Sequence, residues 1–240
     1  MNRLAIIGGG SWGTALAKAL APRFNHVTLW VRDPELAASI NSTRENARYL
    51  PGFVLPENVA ASGDLENVLT GAPIVMSVIP AAYTREIYRR MLPFLLPEMV
   101  FVSATKGIEN GSLQRISAVI SDVVGARFPA RVSVLSGPTF AKEIAAGDPA
   151  AVVIASSDLS LAAAMQRAYS GPSLRFYASD DIIGVEIGAA LKNVIAIGAG
   201  ICHGRSQGGN SIAALVPRGM AEISGLSDAV GGKPRTLSGL

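Results

Sequence analysis

Gly8-Gly-Gly10-Ser-Trp-Gly13 decides the fold, because of what stands on either side of it. The pattern G-x-G-x-x-G alone is weak, since glycine turns are common. Here it follows the apolar run Leu4–Gly8 and opens the helix-like Thr14-Ala-Leu-Ala-Lys-Ala-Leu20. That strand–turn–helix context gives it meaning. Gly8 makes the tight turn, Gly10 lets a pyrophosphate approach the backbone, and Gly13 lets helix and strand pack closely. The pyrophosphate then rests on the free N–H groups and positive dipole end of the helix, where Ser11 and Trp12 stand. Gly8, Gly10, Ser11, Trp12 and Gly13 are therefore candidate cofactor-binding residues.

Outward from this loop, short Val- and Ile-rich runs alternate with helical ones. Leu4–Gly8, Val27–Val31, Ile74–Ile79, Met99–Ala104, Val132–Leu135 and Ala151–Ala155 suit strands covered on both faces. Between most of them lie Thr14–Ala21, Tyr83–Leu92, Leu113–Val124 and Leu159–Tyr169, all with helical character. Alternation of this kind implies an α/β fold, a doubly wound (Rossmann-like), mainly parallel sheet with helices on both faces. Leu174–Tyr177 closes the sheet. After Asp181 the character changes: Ile182–Ile201 and Ala213–Ser224 read as helices, joined by the glycine-rich, polar Cys202–Asn210. The expected organisation is a dinucleotide-binding domain over 1–181 and a partial helical substrate domain over 182–240.

The end of the second strand bears on which dinucleotide is held. An acid there suits the ribose 2′-hydroxyl of NAD, and an arginine suits the 2′-phosphate of NADP. The sequence runs Leu29-Trp-Val-Arg-Asp33, followed by Pro34. Asp33 reads as a helix start with proline at the first helical position, which leaves Arg32 for the phosphate. This favours NADPH and leaves NADH open. Trp30 and Arg32 are both candidates to flank the adenine.

Composition removes several other classes. Of 240 residues, 49% are hydrophobic and 16% charged, and the net charge is +3. The cations are scattered, without runs or interleaved aromatics, so nucleic acid is not an expected partner. A single cysteine, Cys202, excludes an internal disulfide and suits a reducing, cytoplasmic setting. With only His26 and His203 beside it, no cluster has metal-ligand spacing, and no metal is expected. Three glycines interrupt what would otherwise resemble a signal peptide at the N-terminus. No segment reaches the ~18 uninterrupted apolar residues of a membrane span.

Glu186–Gly200 carries one lysine, Lys192, in an otherwise almost wholly apolar helix. Its neighbours three and four residues away are Gly188, Ala189, Ile195 and Ala196. None can pair with an ammonium, so a partner must come from elsewhere in the fold or from a ligand. A buried unpaired cation relieves itself by a lowered pKa or an anionic partner, which makes Lys192 a candidate to move a proton. The other reading is that its stem snorkels to solvent.

Six segments together resemble the bacterial NAD(P)-dependent glycerol-3-phosphate dehydrogenases. They are Gly8–Ala17, Trp30-Val-Arg32, Asn46-Ala-Arg-Tyr-Leu-Pro-Gly52, Lys106-Gly-Ile-Glu109, Leu135-Ser-Gly-Pro-Thr-Phe-Ala141 and Glu186–Ala199 with its Lys192-Asn193 pair. The resemblance implies hydride transfer between dihydroxyacetone phosphate and sn-glycerol 3-phosphate, feeding glycerophospholipid synthesis. It makes Lys192 the general acid/base, in an apolar setting that lowers its pKa toward working pH. Lys106 would contact both substrate and cofactor. Gly137, Thr139 and Asn193 would touch the small-molecule phosphate substrate, and Ala141 would lie near the cofactor. Tyr49 reads equally as a nicotinamide neighbour or a packing residue.

The likeness breaks after Lys233-Pro-Arg-Thr-Leu-Ser-Gly-Leu240, where the family continues into a substrate-binding aspartate and a Ser-Arg-Asn motif. His203, Ile212 and Pro217 also depart from the family pattern, and Pro217 should strain a helix interior. The chain is therefore expected to be C-terminally truncated, with an apolar face left uncovered that favours dimerisation or aggregation. Two alternatives stand beside the dehydrogenase reading. One is another hydroxy-acid or ketopantoate-type reductase, and the other is a catalytically silent NADP(H)-binding relative.

Overall fold

A computed structural model describes residues 3–237; residues 238–240, part of the segment where the family likeness breaks, lie outside them. The strands are β1 (Arg3–Ile7), β2 (His26–Trp30), β3 (Glu45–Asn46), β4 (Leu50–Val54), β5 (Val59–Ser62), β6 (Ile74–Ser77), β7 (Val100–Ser103), β8 (Arg131–Ser136), β9 (Ala150–Ser156) and β10 (Leu174–Ser179). The helices are α1 (Ser11–Leu20), α2 (Pro34–Thr43), α3 (Leu65–Leu69), α4 (Thr84–Met91), α5 (Ile116–Gly125), α6 (Ala141–Ala146), α7 (Leu159–Tyr169), α8 (Ile182–Gly204) and α9 (Gly209–Ala229).

Eight strands form one sheet in the order β10-β9-β8-β7-β6-β1-β2-β5. All neighbours are parallel except β8 and β9. The fold is thus the mainly parallel, doubly wound sheet that the alternating pattern implies. Successive residues of each strand feed two cores, as the period of two requires. Leu4, Ile6, Met76 and Val102 lie in the core shared with α1, α2, α6 and α7. Ala5, Ile7, Val75 and Phe101 lie in the core shared with α3, α4 and α5. The chain runs from β1 through β2 to β5, then returns to the other side of β1 at β6. That reversal opens the crevice where ligands of open α/β sheets bind.

β5 and the two-stranded hairpin β3–β4 have no counterpart in the sequence reading. β5, Val59-Ala-Ala-Ser62, has one buried valine and two small alanines, too little β-branching to stand out. The hairpin pairs antiparallel outside the main sheet. Ser11, not Thr14, opens α1. Asp33 caps α2, accepting from the N–H groups of Glu35 (3.0 Å) and Leu36 (3.4 Å) with Pro34 at the first helical position.

α8 and α9 form a helical hairpin at the end of the chain. Asp181 closes it: its carboxylate caps α8 at Gly184 N (2.8 Å) and accepts from Lys233 N (2.8 Å) and the Thr236 hydroxyl. α8 packs its first half against β8 and β9, through Val185 beside Val134 and Ala155. Its second half packs on α9, where glycines allow close approach: a Cβ on Gly219 would stand 2.7 Å from Ile195. The far side of that half is open, and Val194, Ile197 and Ile201 are 68%, 65% and 57% exposed. By length and composition α8 is long and apolar enough to cross a membrane. A count of uninterrupted apolar residues had excluded such a segment, because Lys192 divides it. α9 runs unbroken through Pro217. The carbonyl that the missing N–H would have engaged belongs to exposed Ala213, so water can satisfy it.

Candidate active site

The glycine loop, the end of β2 and the loops after β6 and β7 enclose a cleft of about 700 Å³. It is lined by Gly8–Gly13, Arg32, Asp33, Arg48, Tyr49, Pro80, Tyr83, Arg90 and Lys106, among others. Four cations, Arg32, Arg48, Arg90 and Lys106, face it against two carboxylates, Asp33 and Glu86. The balance suits an anionic ligand.

Each glycine of the loop stands there for a different reason. Gly8 has φ +125°, and a Cβ there would lie 2.4 Å from Val78 O. A Cβ on Gly13 would lie 1.8 Å from Gly8 O, so strand and helix can approach only without one. Gly10 is the exception. Its φ is −73° and a Cβ there meets nothing within 4 Å. The fold does not need glycine at position 10; a ligand lying against the backbone does. No side chain caps α1, so the first N–H groups of the helix have no side-chain partner. An open glycine at an uncapped helix start is what a dinucleotide pyrophosphate requires, and these residues fit that group.

Asn46 holds this loop, a role the sequence did not disclose. It is fully buried, and its amide donates to Gly9 O (2.9 Å) and Thr14 Oγ1 (2.8 Å). Its Oδ1 accepts from Tyr49 N (3.3 Å). One side chain therefore ties the β3–β4 hairpin to the glycine loop and the first turn of α1. The only sequence signal was its place in the Asn46–Gly52 segment. Asn46→Ala should strand buried donors and acceptors at a cost of about 2 kcal/mol and weaken NADPH about tenfold, read by thermal melting and fluorescence titration. A normal melting curve with normal affinity would remove the role.

Trp30 lines the cleft with its ring edge already engaged. It is 4% exposed, its indole N–H donates to Gly63 O (3.0 Å), and the Arg90 guanidinium stands 5.8 Å over its ring. Arg32 is exposed at the cleft, and Tyr49, 46% exposed, is on its rim rather than in the core.

Lys106 projects from the loop after β7. That loop is braced by Glu109, which takes Nε and Nη2 of Arg85 at 3.0 and 2.9 Å and the Ser112 hydroxyl at 2.6 Å. Gly107 carries the sharp turn at φ +125°. The Lys106 ammonium lies 5.7 Å over the Trp12 ring and 3.4 Å from Thr139 Oγ1. Among the described residues it has no carboxylate partner. Burial, and then repulsion from Lys192, push its pKa below the ordinary lysine value. Lys106 on the cleft wall thus has Trp12 and Thr139 beside it.

Other sequence candidates stand apart. A Cβ on Gly137 would meet Ala151 O at 2.7 Å, so packing against β9 already requires glycine there. Ala141 opens α6, half-buried against the core of α1. Lys192 and Asn193 are exposed on α8. Of the two readings, burial and a stem reaching solvent, the structure shows Lys192 exposed near the middle of α8. Among the described residues no group of three or more His, Cys, Asp or Glu is placed to hold a metal.

Residues 3–162 match the N-terminal model, and 181–240 the C-terminal model, of NAD-dependent glycerol-3-phosphate dehydrogenase. The chain belongs to this family. A glycerol-3-phosphate dehydrogenase [NAD(P)+] of Koribacter versatilis is 51% identical over all of this chain, which spans 72% of that relative. One from Nitratidesulfovibrio vulgaris is 44% identical, with 99% of this chain and 72% of the relative covered. The crystal structure of glycerol-3-phosphate dehydrogenase from Coxiella burnetii superposes with a TM-score of 0.92 at 36% identity, over 99% of this chain and 72% of that one. A ketopantoate reductase from Ralstonia eutropha reaches 0.67 at 19% identity, covering 97% and 76%; that likeness is one of fold alone. The glycerol-3-phosphate dehydrogenase family thus displaces the ketopantoate-type alternative.

Proposed function

We propose that this chain catalyses the reversible reduction of dihydroxyacetone phosphate to sn-glycerol 3-phosphate. Residues 1–181 hold NADP(H), or NAD(H), along the glycine loop, and 182–240 contribute part of the substrate site. When bound, the reduced dinucleotide supplies the hydride. Gly8, Gly10, Ser11, Trp12 and Gly13 seat it, and Arg32 meets its adenosine end. Lys106 neutralises the substrate and Thr139 orients it. Lys192 gives a proton to the oxygen of the carbonyl as the carbon is reduced, while Asn193 and Gly137 complete the surroundings. Being exposed, Lys192 reloads from solvent.

The observation that carries this reading is the state of Lys106. Lys106 has no carboxylate partner among the described residues, and its pKa is lowered partly by Lys192. A half-buried ammonium on the wall of a dinucleotide cleft, without a carboxylate partner among the described residues, suits a small anionic substrate. The working protein is read as cytoplasmic from its single cysteine, and the stripe Val194-Ile197-Ile201 supports self-association, measurable by sedimentation.

The test is NADPH oxidation by the purified chain with dihydroxyacetone phosphate, with nucleotide binding followed in parallel. Oxidation that requires this substrate is the expected result. Binding of NADPH without oxidation would replace the enzyme reading with that of a dinucleotide-binding module.

A further inference from the structure

Lys106 stands near the start of a loop whose far side carries a knot of charge that the proposed reaction does not use. Its own side chain is held weakly. The ammonium has the Trp12 ring at 5.7 Å, Thr139 Oγ1 at 3.4 Å and no carboxylate partner among the described residues. The next residue, Gly107, sits at φ +125°, a place where the chain can turn at little steric cost. Side-chain contacts therefore do not fix where the ammonium points. The backbone beyond the glycine does.

That backbone is anchored by Glu109. Ile108 and Arg115 pair across the loop as an antiparallel bridge, Glu109 N donates to Gln114 O (2.9 Å), and Leu113 N donates to Glu109 O (3.0 Å). Residues 108–115 are thus a closed unit, and the Glu109 carboxylate ties it to α4. Its two oxygens accept from Arg85 Nε at 3.0 and 3.1 Å, and Oε2 also accepts from Arg85 Nη2 (2.9 Å) and the Ser112 hydroxyl (2.6 Å). Arg85 reaches on to Gln114 Oε1 (2.9 Å) and, through Nη1, to Asp122 of α5. The Arg85 and Glu109 side chains are 22% and 12% exposed, so water competes poorly for them. Arg85, and then Ser112, hold the Glu109 carboxyl below the ordinary carboxylate range, which keeps it ionised at neutral pH. Arg85 belongs to the helix whose Glu86, Ile87 and Arg90 line the cleft. The knot therefore fixes the Lys106 loop to the cleft wall itself.

We propose that Glu109 and Arg85 are positioning residues that hold Lys106 against the phosphate-bearing substrate by blocking rotation of its loop about Gly107. The proposal rests on the reading of Lys106 as a substrate contact and adds what keeps it in place. Neither side chain lines the cleft, so both act through the backbone. Arg85 gives Nε and Nη2 to one carboxylate and Nη1 to another, a division that only a planar fork allows; a lysine would offer one point charge. Releasing Glu109 lets the loop swing at Gly107, and Lys106 leaves Thr139 for solvent. Asp122 is the outer partner, 58% exposed, and its bond to Arg85 is replaced by water at little cost.

The experiment is a double-mutant cycle, read by calorimetric titration of dihydroxyacetone phosphate into the chain saturated with NADP+, which has no hydride to give. Glu109→Ala and Arg85→Ala should each weaken the substrate about tenfold, and Arg85→Lys nearly as much. Glu109→Gln, which keeps one acceptor, should weaken it about threefold, and Asp122→Asn less than about twofold. In a chain already carrying Lys106→Ala, Glu109→Ala should weaken binding no further, because its effect passes through Lys106. An additive loss would overturn the proposal, since the knot would then act on the site in general. So would unchanged affinity in the Glu109 variants beside a clear loss in Lys106→Ala. Glu109→Gln carries the same cycle if the alanine variant melts too low to assay. Trace acetylation of Lys106 against pH needs no ligand. Burial is the largest cause of its lowered pKa, so Glu109→Ala should raise it toward the ordinary lysine value. An unmoved Lys106 titration would overturn the positioning whether or not substrate binds. A moved titration in a chain that binds no dihydroxyacetone phosphate would remove the substrate reading alone.

Discussion

Lys192→Ala lowers turnover of dihydroxyacetone phosphate by about 10²–10⁴-fold, the range for losing a positioned general acid, and leaves NADPH affinity nearly unchanged. The residue lies outside the set that lines the nucleotide cleft, so removing it takes away no cofactor contact. Its effect on the site is electrostatic: the Lys192 ammonium is the second cause, after burial, of the lowered Lys106 pKa. Removing that charge must raise the Lys106 pKa toward the ordinary lysine value. A residue placed on α8 only for packing would not do this. Two readouts therefore separate the roles, the loss of kcat and the upward shift of the Lys106 titration, followed by the pH dependence of its amine reactivity. Lys106→Ala should differ by raising KM for the phosphate substrate as well. If Lys192→Ala turned over normally, or lost NADPH binding along with turnover, the acid/base assignment would fail.

The sheet and the glycine loop were legible in the sequence because their signals are local. A run of valines and isoleucines, a turn that only glycine fits and a proline after a capping aspartate each act within a few residues. The seven apolar runs became β1, β2, β6, β7, β8, β9 and β10. Hidden features depend on partners far along the chain. Asn46 reaches Gly9 and Thr14 across 37 and 32 residues, and Arg48 meets Asp33 across 15. Nothing beside Asn46 or Arg48 marks either contact. The environment of Lys192 stayed open between burial and a stem snorkelling to solvent, and the structure exposes it. Burial of an apolar helix is decided by what packs on it, and among the described residues Val194, Ile197 and Ile201 of α8 stay exposed.

Glu186→Ala destabilises the fold by about 3 kcal/mol, at the lower end of the cost of breaking a buried ion pair. Glu186 opens the very segment that displays Lys192, and its carboxylate is almost fully buried, with 4% of the side chain exposed. Oε1 accepts from Ser117 N at 2.8 Å, and Oε2 accepts from the Ser117 hydroxyl at 2.5 Å and from Arg115 Nη1 at 2.8 Å. Ser117 stands in the first turn of α5, and no side chain at Arg115, the N-cap position, caps that helix. Glu186 is therefore the cap of α5, delivered from α8 across 69 residues. A carboxylate there also meets the positive end of the helix dipole. Removing it leaves the buried Ser117 N–H without its acceptor and strips Arg115 of its carboxylate, leaving Arg115 Nη1 only the Ser117 hydroxyl at 2.9 Å. The guanidinium is 27% exposed and recovers some hydration, which sets the lower figure. For a chain of this length the loss corresponds to a melting temperature roughly 6–12 °C lower. Glu186→Gln, which keeps the shape and one strong acceptor, should lose about half as much. The contact also fixes α8 against the sheet six residues before Lys192, about 9 Å along the helix axis. Glu186→Gln should therefore lower kcat more than it weakens NADPH, because it loosens the helix that carries the acid and leaves the glycine loop alone. Unchanged melting in Glu186→Ala would mean that solvent caps α5 equally well. A melting loss with kcat intact would mean that the clamp secures the fold without placing Lys192.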